Sequence, residues 1–151
     1  MHELQRKIII VAAFMGALAV VLGAFGAHSL ADYLSPKQLS TYQTGIDYHF
    51  FHSLALLGIA NLPLSTDQHQ RYLKFTYRLL MLGIIFFSGS LYLLACKAIL
   101  PITGFIFVIG PMTPIGGLFF ILAWACLIAY AFCPTPQKKT QTYLKIRRPP
   151  R

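Results

Sequence analysis

The sequence predicts an all-α integral membrane protein, a bundle of four crossing helices with both termini in the cytoplasm. Three observations predict it. Of its 151 residues, 56% are hydrophobic and only 11% charged, about half the charged share of an ordinary soluble domain. The apolar residues gather into runs suited to about 30 Å of hydrocarbon, which a helix of roughly 20 residues crosses. The basic residues crowd into every second connecting segment, as the positive-inside rule requires of a chain that crosses an even number of times. The same composition rules out disorder for the bulk of the chain. Three cysteines set inside apolar runs, at different depths, argue against a disulfide framework.

The first span is expected at about 8–27, a run without a charged residue. Arg6 and Lys7 before it resemble the positive start of a secretory leader, but the apolar stretch exceeds the 7–15 residues or so of a cleavable one. It is therefore expected to remain as an anchor. The second span, about 48–64, is short by itself. Ser35-Pro36 offers an oxygen cap followed by a proline in the first turn, so a helix can begin there, polar and interfacial at first and apolar later. The third span is expected at about 79–100, with Lys97 near its end, and the fourth at about 114–132, restarted by Thr113-Pro114. The stretch between them, Pro101 to Thr113, has two prolines and two glycines. It reads as a short apolar re-entrant or interfacial segment, tolerable at membrane depth only if other helices cover its backbone.

These spans define a membrane domain over 1–133 and a basic tail over 134–151, expected to be disordered and cytoplasmic. With the N-terminus inside, all 13 basic residues except Lys37 and Lys97 face the cytoplasm. The net charge of +9 is then mostly a matter of topology, with some attraction of the tail to anionic lipid. Nucleic acid is not an expected partner, because the tail offers only Tyr143 for stacking. The expected partners are the lipid bilayer and, through small-residue faces, other membrane proteins or a second copy. On the first helix these faces include Ala12/Gly16, Ala13/Ala17 and the series Ala19, Gly23, Ala27, which permit the close approach that associates helices in lipid.

The candidate polar cluster is His28, Asp32, Tyr48, His49 and His52. The first helix runs outward and the second returns, so these groups share one depth near the outer interface. His49 and His52, three apart, point from one helix face. One reading is structural, the side chains satisfying helix ends in a dry region. A second is a metal or haem site with His28, His49 and His52 as neutral ligands, for which Asp32 or water would complete the set; His-x-x-His spacing is not specific to it. A third is a path for protons or a small solute. No phosphate loop, Cys-x-x-Cys pair or Ser-His-Asp set accompanies them, and the four acidic residues are poor material for general acid–base catalysis. No cofactor is specified.

Gly23-Ala24-Phe25-Gly26-Ala27-His28 and Tyr48-His49-Phe50-Phe51-His52-Ser53-Leu54-Ala55-Leu56 resemble the YgdD-like family of small bacterial inner-membrane proteins, a domain of unknown function. Phe87-Ser88-Gly89-Ser90-Leu91-Tyr92 and Thr113-Pro114-Ile115-Gly116-Gly117 match its later segments in the same order. The resemblance covers about Lys7 to Phe132 and implies a four-helix, multi-pass protein of the inner (plasma) membrane, without implying a reaction. The expected role is non-enzymatic, structural or in assembly of larger complexes. The alternative is a small transporter or a metal- or haem-binding protein using the outer-leaflet histidines.

Overall fold

The computed structural model describes residues 2–101 and 103–134; the expected tail, from residue 135 on, lies outside them. The described residues form four long helices and no strand: α1 (Glu3–Leu30), α2 (Pro36–Ile59), α3 (Asp67–Ala98) and α4 (Ile106–Ala131). Three of them, α1, α3 and α4, are long and apolar enough to cross a membrane. Helix α2 carries a polar first half and falls short by that measure.

Each helix packs antiparallel on the one before it. Between α1 and α2, Tyr42 reaches Leu22, and Gly23 approaches Ile46. Near the opposite end, Gln5 Nε2 donates to the Leu62 carbonyl at 3.0 Å. Between α2 and α3, Gly45 faces Tyr92 and Tyr48 faces Phe87. Between α3 and α4 the register runs from Ser90 with Thr113, through Phe87 with Gly116 and Gly83 with Phe120, to His69 with Tyr130. Helix α1 packs on α2 and hardly at all on α3 or α4.

The cap at Ser35 forms as expected: its hydroxyl accepts from the Gln38 backbone N–H, and the Gln38 side chain accepts from the Ser35 N–H at 2.9 Å. Three boundaries differ from the sequence reading. Helix α2 ends at Ile59, ahead of Pro63, and Asn61 Nδ2 donates to the Leu57 carbonyl at 2.9 Å to satisfy its last turn. Helix α3 starts at Asp67, about three turns before the apolar run. Thr66 caps it, accepting from the His69 N–H at 3.1 Å. The charged first turns are amphipathic, burying His69, Leu73, Thr76 and Leu80, so packing extends a helix that hydropathy alone would not.

The third difference is a correction. Most of the stretch expected to be re-entrant or interfacial is helix, since α4 begins at Ile106 and carries Pro111 and Pro114 inside it. Each proline deletes an N–H and crowds the carbonyl four residues back. Contacts to α3 hold the segment helical nonetheless: the Thr113 and Ser90 hydroxyls are 2.7 Å apart, and Gly116 lies directly on the Phe87 backbone. Two π-helical turns, at Gly26–Leu30 in α1 and Ile84–Ser88 in α3, interrupt the regular pitch.

Candidate functional site

Helix α2 presents its aromatic and imidazole side chains to two different neighbours. His49 faces α3. Its Nδ1 lies 3.0 Å from the Tyr92 hydroxyl, which donates to the Gly45 carbonyl at 3.2 Å. Because that proton goes to Gly45, the ring nitrogen is the donor of the pair. Ser53, one turn on, donates to the His49 carbonyl at 2.8 Å. Tyr42, one turn before Ile46, packs with its ring 5.0 Å from Tyr92 and tilted 44° to it, and donates its hydroxyl to the Leu22 carbonyl at 3.0 Å, tying α1 into the same cluster.

His52 faces α4. Its Nδ1 lies 2.7 Å from the Tyr48 carbonyl, an acceptor only, so Nδ1 carries the proton and Nε2 the lone pair. The imidazole lies flat on Phe120, with ring centres 3.5 Å apart and planes 13° from parallel. Tyr48 closes over Phe87 at 4.5 Å, and Trp124 stands edge-on to His52 at 6.5 Å. Gly83 and Gly116 let these rings and helices meet, because a Cβ on either would overlap Phe120 or the Phe87 backbone.

The structure therefore brings Tyr48 and His52 together and sends His49 to a separate partner, although both histidines are buried. Three residues along a helix leave two side chains about 60° apart, enough to serve different neighbours when α3 and α4 flank α2. His28 is exposed at the end of α1 and Asp32 exposed in the loop after it. Among the described residues, no three His, Cys, Asp or Glu side chains come together as a metal-holding group. The sequence reading did not single out Phe120, Trp124 or Tyr42 as site residues. Phe87 and Tyr92 stand at the two ends of the family-like segment Phe87-Ser88-Gly89-Ser90-Leu91-Tyr92, which is their only signal in the sequence; Phe120, one phenylalanine among 12, carries none.

Three buried polar atoms make no hydrogen bond among the described residues: His49 Nε2, Ser88 Oγ and Thr76 Oγ1. Ser88 closes the π-helical turn of α3, one turn before Tyr92.

The family model described as "Protein of unknown function (DUF423)" matches residues 22–117. The chain is 40% identical over 128 residues to the UPF0382 membrane protein of Staphylococcus saprophyticus, an alignment covering 85% of this chain and 98% of the relative. It is 38% identical over 129 residues to the UPF0382 membrane protein YwdK of Bacillus subtilis, covering 84% and 97%. To the UPF0382 inner membrane protein YgdD of Escherichia coli it is 37% identical over 127 residues, covering 84% and 90%. No solved structure matches the chain.

Proposed function

This chain belongs to the DUF423 family, a membrane protein among relatives described as UPF0382 membrane proteins, and from that premise we propose that it is a non-enzymatic, four-span inner-membrane protein that packs against other membrane proteins during assembly. Both ends lie in the cytoplasm in this reading. The antiparallel register supports it: α2 lies between α1 and α3, and its neighbours bury His49, His52 and Ser53 in its second half, while Gln43, Thr44 and Asp47, nearer its polar start, stay exposed. The distribution of basic residues supports the orientation.

The observation that carries the assembly role is on α1. Its small residues form two stripes. Ala12, Ala19, Gly23 and Gly26 face α2, with Ala12 and Ala19 buried and Gly26 against the Tyr42 ring. Ala13, Ala17 and Ala24 lie roughly a third of a turn away and are exposed. The fold uses one stripe and leaves the other open, and in lipid a small-residue stripe favours helix association through close packing.

The test places a photo-crosslinking residue at position 17 in native membranes. The expected result is one reproducible protein adduct, identified by mass spectrometry, that Ala13→Leu or Ala24→Leu weakens. Adducts to lipid alone, or protein adducts indifferent to those substitutions, would overturn the assembly role.

A further inference from the structure

A cavity of about 430 Å³ lies beside His52, lined by Tyr48, Phe51, Phe87, Phe120, Trp124, Ile121 and Gly117. Its size is that of a small-molecule pocket. Three features define what it can hold. The first is His52 itself, 8% exposed. Its Nδ1 edge is tied to its own helix backbone at Tyr48, which turns the Nε2 lone pair away from α2, and among the described residues that nitrogen has no partner. Unlike the three enclosed unpartnered atoms, His52 Nε2 is open to a neighbour; an acceptor held away from water without a donor is costly, and a ligand carrying an O–H group removes the cost.

The second feature is the shape of the walls. Five aromatic rings from three helices favour a flat ring that can pack edge-on or offset against them, and Gly117 leaves room beside them, its nearest neighbour being the Phe87 ring at 3.7 Å from where a Cβ would stand. The third is access. Tyr48 and Trp124 are both partly exposed on the apolar outer surface, so the cavity opens sideways toward the acyl chains. Entry is therefore from the lipid side. A bare metal ion fits poorly, because His52 is the only metal-ligating side chain in the lining.

From these features we propose that the cavity binds a membrane-dissolved phenolic ring of the hydroquinone type, its hydroxyl donating to His52 Nε2 and its ring stacked among Tyr48, Phe87, Phe120 and Trp124. This site is independent of the assembly role of α1.

Trp124 is the chain's only tryptophan, so its fluorescence reports on the cavity directly. The full chain in nanodiscs is titrated with a decyl-substituted hydroquinone and with its dimethyl ether, which keeps ring and tail but has no O–H. The expected result is saturable quenching, with the ether binding about tenfold more weakly, the share of one hydrogen bond to an acceptor without another donor. His52→Phe removes the preference between the two compounds, and Gly117→Leu, which fills that room, abolishes binding of both. Thr76→Val leaves the affinity unchanged, since Thr76 lines a separate cavity on the other side of Trp124. Equal affinities for hydroquinone and ether in the unmodified protein, or quenching that never saturates, would overturn the proposal even if His52→Phe failed to fold. A loss of binding in Thr76→Val would place the ligand in the neighbouring cavity and overturn it as well.

Discussion

His49 and Tyr92 join α2 to α3 through a bonded pair, Nδ1 to hydroxyl at 3.0 Å, and the same hydroxyl continues to the Gly45 carbonyl at 3.2 Å. Gly45 and His49 are one turn apart on α2, so a single phenol grips two points of the helix that is least apolar. Gly45 also makes the approach possible: a Cβ there would stand 2.8 Å from the Tyr92 ring.

Tyr92→Phe removes both bonds and leaves buried His49 with neither nitrogen partnered. The expected cost is about 1–2 kcal/mol, the upper range for polar contacts between helices in membranes. Thermal unfolding of the detergent-solubilised protein measures it. In a double-mutant cycle, His49→Phe with Tyr92→Phe costs less than the sum of the single changes, because the orphaned imidazole is gone. Strict additivity would show that the pair is not coupled.

Gly116→Ala and Gly83→Ala should each destabilise by more than about 2 kcal/mol, because the added methyl meets the Phe87 backbone or the Phe120 ring and the helices must separate. Gly89→Ala, with nothing within 4 Å of its Cβ position, is the control and gains up to about 1 kcal/mol from helix propensity. Size-exclusion thermostability profiles of the three variants distinguish them; equal behaviour would contradict the packing of α3 on α4.

Reporter fusions at the two chain ends should both read as cytoplasmic. If α2 lay along the surface instead of crossing, three crossings would put the ends on opposite sides, so the fusion after Arg151 decides between the two. With four crossings, Tyr130, whose hydroxyl donates to the Pro63 carbonyl, holds the loop between α2 and α3 to the inner end of α4.

Thr66→Ala removes the cap of α3, both the bond from the His69 N–H and the contact between the Thr66 hydroxyl and His69 Nδ1 at 2.6 Å. Loss of such a cap costs about 1 kcal/mol. Amide exchange at the first residues of α3 should accelerate severalfold while the amides near Leu80 stay protected. Unchanged exchange at Asp67 to Gln70 would mean that packing, not the cap, sets where the helix begins.

Composition and the spacing of apolar runs were enough to establish a helical membrane protein, because hydrocarbon leaves a single crossing segment no way to satisfy its backbone except as a helix. The oxygen cap at Ser35 was legible for the same local reason. Helix extent was not: α3 reaches back to Asp67 because its His69–Leu73–Thr76–Leu80 face has α4 to pack on, and α4 runs through two prolines because Ser90 and the Phe87 backbone hold it. The candidate site shows the same division. Spacing placed His49 and His52 on nearly one face, yet α3 takes one and α4 the other. Sequence dictates which groups a helix carries and at what depth; which neighbour each one meets depends on how close glycines let the helices come, and that is a property of the assembled fold alone.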